Sequence, residues 1–140
     1  MQKVYNDLGI PISELGQADD FMTVSQYTYF FRVLYNATYL NRALSEKAMD
    51  FLSKSDFSYG IETGASATVV VAHKFGERTI VDSHGALIAR ELHDCGIVYY
   101  PQHPYLLCIM TRGSDFDRLA AVIQDISRLA YQDRDHQYRK

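Results

Sequence analysis

One apolar run ends in a cation and a glycine: Thr68-Val69-Val70-Val71-Ala72-His73-Lys74-Phe75-Gly76. Because valine, alanine and threonine suit a pleated, covered surface, residues 68–74 are predicted to form a buried strand. Lys74 places a compact positive charge at the end of this strand, and Gly76 removes the side chain that would block an approaching ligand. The pattern is typical of an anion-binding strand edge. The alternative is a lysine that reaches solvent beside a turn glycine.

Helical patterns precede this strand. Thr23-Val24-Ser25-Gln26 has the form of a capping box, so a helix is predicted to begin at Thr23. A second helix is predicted with Ser45 as its N-cap. Residues 1–22 are predicted to be an irregular lead-in, and residues 56–67 a loop that feeds the strand.

A hairpin and a long helix follow the strand. Residues 92–100 and 105–111 are predicted to pair across the turn Pro101-Gln102-His103-Pro104. A terminal helix is predicted to open at Ser114, with apolar residues at steps of three and four. The order helix, helix, strand, strand, strand, helix predicts an α+β fold. Its antiparallel sheet has about three strands, with a C-terminal helix packed on it and two N-terminal helices.

Composition excludes several classes of protein. With 140 residues, 47% of them hydrophobic, the chain is large enough for one domain with a core. The net charge of -3 and the scattered basic residues give no reason to expect nucleic-acid binding. No apolar run approaches the ~18 residues that a membrane span needs. The first residues lack the apolar core of a signal peptide, so the chain taken literally is predicted to be cytoplasmic.

Two cysteines are predicted to be free thiols. A hairpin centred on the turn between Pro101 and Pro104 would pair Cys108 with Ile97. Cys95 would then lie one diagonal step away, ~7 Å from Cys108, which is at or beyond the limit for a relaxed disulfide.

Two other kinds of site are alternatives. Potential metal ligands fall within one span, namely His84, His93, Asp94, Cys95, His103 and Cys108. Strand alternation places His93 and Asp94 on opposite faces, and no C-x-x-C or H-x-x-x-H pair occurs, so we predict no metal and no cofactor. A hydrolase with a cysteine nucleophile is the other alternative, but both cysteines lie in apolar strands, where a thiol is usually inert.

The ordered set of features resembles the C-terminal part of the penicillin-recognising serine hydrolases, which include class A β-lactamases and penicillin-binding proteins. Residues 23–34 and 44–52 resemble the two helices that follow the omega loop of that family. Residues 72–77 resemble the strand that carries its lysine, Ser/Thr, glycine signature.

The resemblance spans roughly residues 20–132 and divides the chain into three parts. Residues 1–22 form an omega-loop-like lead-in, and residues 23–132 form the C-terminal portion of a serine hydrolase domain. Residues 133–140 form a polar tail.

The resemblance implies serine acyl transfer on a β-lactam, a peptide or a related amide or ester. Lys74 matches the lysine that helps to hold the substrate carboxylate, and the backbone N–H of Glu77 matches a donor of the oxyanion hole. Phe75 and Gly76 complete the substrate-binding strand. His93 falls near a basic residue that contacts the same carboxylate in the family.

The chain departs from the family at three points. Phe75 stands where the family has Thr or Ser, so a hydroxyl donor is missing. No serine in the chain has a lysine three residues later, so the S-x-x-K nucleophile is absent. Glu14 is the only early glutamate and lies in no omega-loop motif, so no deacylating base can be assigned.

These departures predict a fragment of a β-lactamase-like hydrolase that is inactive by itself. Its expected partners are a small molecule or peptide with a carboxylate and the missing N-terminal part of the same fold. The full-length parent is expected to be exported, extracellular or in the cell envelope. The alternative is a non-catalytic binding domain, in which Tyr99, Tyr100 and Tyr105 form an adhesive surface at the hairpin turn.

Overall fold

The computed structural model describes residues 2–9 and 22–139. In these ranges the chain forms five helices and three strands. Their bounds are α1 (Gln2–Asp7), α2 (Val24–Tyr35), α3 (Arg42–Leu52), α4 (Ile61–Gly64), β1 (Val71–Val81), β2 (Leu87–Val98), β3 (Tyr105–Gly113) and α5 (Phe116–Tyr138).

The three strands form one antiparallel sheet in the order β1-β2-β3. Each of its faces is covered by helices. The core on the α5 side comprises Ile61, Val71, Leu92, Val98, Ile109, Leu119 and Ile123. The core on the other side, where α2 and α3 pack, comprises Phe31, Met49, Ala72, Cys95 and Ile97. The predicted α+β class, with three antiparallel strands and a C-terminal helix packed on the sheet, is confirmed. The described residues contain four helices before the sheet and not the predicted two, because α1 lies in the predicted irregular lead-in and α4 in the predicted loop.

The first strand is longer than predicted. β1 continues through Gly76 to Val81 and turns back at residues 82–86 into β2. In that turn the Asp82 carboxylate accepts the N–H groups of His84 and Ala86 at 2.8 Å each, an arrangement that favours a tight reversal. Gly76 therefore lies inside a strand and does not end one.

The helix starts follow the side chains that cap them. Thr23 caps α2, and the predicted capping box is confirmed, because the N–H of Gln26 donates to Thr23 Oγ1 at 3.2 Å and Gln26 Oε1 accepts from the N–H of Thr23. The predicted Ser45 cap is wrong. Asn41 caps α3 four residues earlier, where its Oδ1 accepts the N–H of Leu44 at 2.9 Å, and Ser45 is buried inside the helix.

The last helix begins one residue later and ends later than predicted. Asp115, not Ser114, is its N-cap and accepts the N–H of Arg118 at 2.9 Å. The helix continues to Tyr138, so most of the predicted polar tail, residues 133–140, is helical. None of the helices in the described ranges is long and apolar enough to cross a bilayer.

The two cysteines form a disulfide, so the prediction of free thiols is wrong. β2 ends at Val98, and the connection to β3 therefore includes Tyr99 and Tyr100 as well as the predicted turn. This longer connection moves the centre of the hairpin by one residue and places Cys95 directly opposite Cys108.

Candidate functional site

The outer edge of β1 carries backbone groups that do not bond to β2. Tyr99 donates its N–H to the carbonyl of Val70 at 3.0 Å, and the pairing then continues without a shift as far as Ile80. Because bonded and non-bonded pairs alternate in an antiparallel ladder, the even-numbered residues of β1 bond to β2. The N–H groups of Phe75 and Glu77 therefore point outward. Within the described ranges no strand pairs with this edge.

The ammonium group of Lys74 lies at the same edge. Its Nζ donates to the outward carbonyl of Phe75 at 2.5 Å and lies 4.7 Å from the centroid of the Phe75 ring. The side chain is exposed to solvent. A carboxylate at this edge could therefore meet both a cation and an outward backbone N–H.

Phe75 directs its ring to the sheet face that packs on α5. The ring stacks on Phe57 with a centroid distance of 4.0 Å and an interplanar angle of 15°. Phe75 thus supplies an aromatic contact where the resemblance leads one to expect a hydroxyl.

Gly76 lies directly opposite His93 in the sheet. A Cβ atom on Gly76 would overlap Cε1 of the His93 ring, so the close packing of this ring requires glycine. Tyr27 of α2 meets the imidazole edge-on, with ring centroids 5.0 Å apart. The side chain of His93 therefore occupies the space that the sequence argument reserved for a ligand.

His93 is a neutral group near pH 7. Burial lowers its pKa below the ordinary 6.5, the nearby Lys74 ammonium lowers it further, and Asp94 opposes both effects. Its neighbour Tyr27 has a pKa raised to about 12, chiefly by burial. At the strand edge, Lys74 therefore provides a positive charge and His93 does not.

A buried histidine and aspartate lie beneath the strand that carries Lys74. His73 Nδ1 and Asp94 Oδ1 are 2.8 Å apart, and both side chains are almost fully buried. The second carboxylate oxygen of Asp94 accepts the N–H of Ile61 at 2.8 Å. The sequence argument considered Asp94 only as a metal ligand and missed this pair. The signal that could have revealed it is an aspartate within an apolar strand, which requires a buried partner.

The loop before α4 is fixed from both sides. A Cβ atom on Gly60 would overlap the carboxylate of Asp94, so the backbone passes directly over that group. Gln124 of α5 donates to the carbonyl of Tyr59 at 2.8 Å, and Ser127 donates to the carbonyl of Ile61 at 2.8 Å. These contacts hold the loop between the sheet and α5.

Three of the predicted residues, Gly76, Glu77 and His93, line one cavity of 460 Å³. Its wall includes Glu91, whose carboxylate lies 2.7 Å from the guanidinium of Arg78 and 3.5 Å from that of Arg112. Lys74 lies outside this cavity, at the strand edge. The predicted residues thus lie in two adjacent places and not in one cleft.

The competing sites receive no support from the geometry. Within the described ranges no three His, Cys, Asp or Glu side chains are arranged to hold a metal ion. The disulfide leaves neither Cys95 nor Cys108 free as a nucleophile, so the cysteine hydrolase alternative is wrong. Glu14 lies outside the described residues.

The sequence matches the model of the beta-lactamase enzyme family over residues 2–133. No curated protein matches it significantly. The fold is similar to that of a β-lactamase from Chitinophaga pinensis, with a TM-score of 0.74 and 16% identity over 94% of this chain and 53% of that one. It is also similar to a class A β-lactamase from Bacteroides cellulosilyticus, with a TM-score of 0.72 and 18% identity over 93% and 51%.

A third similar structure is a variant of PBP-A in an acyl-enzyme complex with penicillin G. Its TM-score is 0.73, with 15% identity over 96% of this chain and 50% of that one. This chain therefore spans about half the length of the structures that it resembles.

Proposed function

This chain belongs to the beta-lactamase enzyme family, and we propose that it supplies the lysine strand of a serine acyl-transfer site. In this proposal Lys74 holds the carboxylate of a β-lactam, peptide or related amide or ester. The N–H of Glu77 is a donor of the oxyanion hole. Phe75, Gly76 and His93 complete the substrate-binding surface around them.

The observation that carries the proposal is the shared position of the Lys74 ammonium and the outward N–H groups of Phe75 and Glu77. All three lie on one unpaired strand edge in the described part of the chain. A preorganised cation and N–H donors at one edge suit a ligand that has a carboxylate next to an acyl group, because each negative charge then meets a fixed donor.

The serine nucleophile has to come from residues outside this chain, because no serine here has the S-x-x-K spacing. Two surfaces support attachment of the remaining N-terminal part of the fold. The outer edge of β3 has no partner strand within the described ranges. α5 leaves Val122, Ile126 and Leu129 exposed at 46%, 40% and 65%.

The disulfide between Cys95 and Cys108 supports an exported parent protein. Disulfides persist mainly in oxidising compartments such as the periplasm and the extracellular space.

The test of the proposed function is binding of 6-aminopenicillanic acid, a β-lactam carboxylate without an aromatic side group, followed by ¹H–¹⁵N NMR. We expect the amide signals of Phe75 and Glu77 to shift, and Lys74→Ala to abolish the shifts. Lys54→Ala is the matched control, because Lys54 is an exposed lysine paired with Asp50 on α3 and its adjoining turn. Unchanged β1 signals, or equal binding by the Lys74→Ala variant, would reject the proposal.

A non-catalytic binding domain derived from the same fold is the second candidate, and the missing S-x-x-K motif favours it. Its predicted tyrosine surface has little support, because Tyr100 is buried, packs edge-on against Tyr131 and donates to Asp135 at 3.2 Å. The two candidates differ once the missing part is supplied. A hydrolase fragment then gains penicillin acylation, whereas a binding domain does not.

A further inference from the structure

Three aromatic side chains lie beside the Lys74 edge, and we refer to Phe57, Tyr59 and Phe75 as the aromatic wall. Phe57 stacks on Phe75 at 4.0 Å and meets Tyr59 edge-on at 6.2 Å. The Lys74 ammonium lies over the Phe75 ring, 4.7 Å from its centroid. The cation at the edge of β1 is therefore in direct contact with one end of an aromatic cluster.

The aromatic wall is held in place by one buried and one exposed polar contact. Asp94 binds the N–H of Ile61, and the Tyr59 carbonyl accepts a hydrogen bond from Gln124 of α5. Gly60 fits against the Asp94 carboxylate and the Phe57 ring because it has no side chain. A fixed loop loses little conformational entropy when a ligand binds to it, which favours recognition by this surface.

Tyr59 is the solvent-facing member of the wall, with 66% of its surface exposed. A large aromatic side chain on a rigid loop is typical of contact surfaces, since it offers much apolar area at low entropic cost. The neighbouring Lys74 attracts a negative charge. The surface thus combines a cation with an exposed aromatic ring.

We propose that the aromatic wall is a specificity subsite that favours carboxylate ligands carrying an aromatic side group. The proposal rests on the proposed function, because the carboxylate has to bind at Lys74 and the outward N–H groups of β1. The ligand ring then packs against Tyr59 and the exposed part of Phe57. Phe75 stands where the family resemblance implies a hydroxyl residue. Its ring supports the aromatic wall, whereas a hydroxyl group would make a polar contact with the ligand.

The test compares N-acetylphenylalanine with N-acetylalanine, two probes with the same carboxylate and amide that differ only in the phenyl ring. NMR titration of the full chain gives the Kd of each probe. We expect N-acetylphenylalanine to have a Kd about two- to tenfold lower, the range typical of one aromatic contact. Tyr59→Ala and Phe75→Thr should each reduce this ratio towards one.

Phe51→Ala is the matched control. Phe51 is another exposed phenylalanine, and the Lys47 ammonium lies 5.8 Å from its ring on α3, so its removal should leave the ratio unchanged. Equal Kd values for the two probes overturn the aromatic wall. A lower Kd for N-acetylphenylalanine that persists in the Tyr59→Ala Phe75→Thr double variant also overturns the proposed aromatic subsite. In both cases β1 shifts that depend on Lys74 leave the proposed function standing, whereas the absence of β1 shifts with either probe overturns both proposals.

Discussion

At the scale of single residues, Asp94 links the candidate site to the rest of the protein. One carboxylate oxygen binds His73, the residue that precedes Lys74, and the other binds the N–H of Ile61 at the start of α4. Both partners are buried, so neither can turn to water if the carboxylate is removed. The position of the strand edge and of the aromatic wall therefore depends on the hydrogen bonds of one buried carboxyl group.

We expect Asp94→Ala to destabilise the protein strongly. The substitution leaves His73 and the Ile61 N–H without their hydrogen-bond partner, and each buried group left unsatisfied typically costs about 1–3 kcal/mol of the free energy of unfolding. Urea denaturation measures the loss. Asp50→Ala is the control, since the exposed pair of Asp50 with Lys54 should contribute at most about 1 kcal/mol. Similar losses for the two variants would contradict the assigned role of Asp94.

The ionisation of His93 gives a second expectation at this scale. Its imidazole should titrate below pH 6.5 in NMR spectra, and Lys74→Ala should raise this pKa, because one of the charges that lower it is removed. Burial remains the larger cause, so the pKa in the variant should still lie below 6.5. Lys54→Ala should have no effect. A His93 pKa above 6.5 in the unaltered protein would show that the imidazole is more exposed than described.

The lowered pKa of His93 also determines the direction in which pH changes the stability of the protein. A histidine whose pKa is lowered in the folded state binds a proton more readily when unfolded. Its contribution to stability is therefore complete above the unfolded pKa of 6.5 and is lost as the pH falls through the folded value. Replacing His93 should weaken the dependence of stability on pH in this acidic window.

At the scale of secondary-structure elements, the cap of α2 and the hairpin of β2 with β3 were predicted, whereas the register of that hairpin and the turn at residues 82–86 were not. The Thr23 capping box depends on residues three apart, and it was predicted correctly. The start of α3 was missed because Asn41 and Ser45 are both good caps, and only the burial of Ser45 in the folded protein decides between them. The extension of β1 past Gly76 depends on His93, which lies 17 positions further along the chain.

The register of the last hairpin shows why long-range details were missed. A connection two residues longer than the predicted turn replaces Ile97 by Cys95 as the partner of Cys108. The same sheet face stays buried in either register, so the hydrophobic pattern cannot distinguish them. The buried contacts of Asp94 with His73 and Ile61 likewise bring together three separate segments, and no local pattern encodes that approach.

The disulfide joins two secondary-structure elements, β2 and β3, and this leads to a prediction about alkylation. Native protein should react with no iodoacetamide, and reduction in denaturant should expose two alkylation sites. Removing both cysteines should lower the free energy of unfolding by about 2–4 kcal/mol, since the bridge closes a loop of sequence separation 13. Rapid alkylation of folded, unreduced protein would contradict the bridge.

At the scale of the whole molecule, we propose that the chain is part of a larger fold. It spans about half of the similar structures, and it exposes apolar residues of α5 next to a strand edge that has no partner within the described ranges. The family and the lysine strand could be predicted from the ordered motifs. The lack of an S-x-x-K spacing in this sequence could also be read directly, because the motif is local. The sequence did not predict that Lys74 lies at a strand edge while Gly76, Glu77 and His93 line a separate cavity. This separation depends on the way the Lys74 side chain turns over β1.

The central claim is that this chain contributes one half of an acyl-transfer site without its nucleophile. Incubation of the folded chain with a fluorescent penicillin, followed by denaturing gel electrophoresis and intact-mass measurement, tests this claim most directly. We expect no covalent adduct and no hydrolysis of nitrocefin by the chain alone. An adduct on any residue of the folded chain, with the stoichiometry of a single site, would show that a nucleophile is present and would contradict the claim.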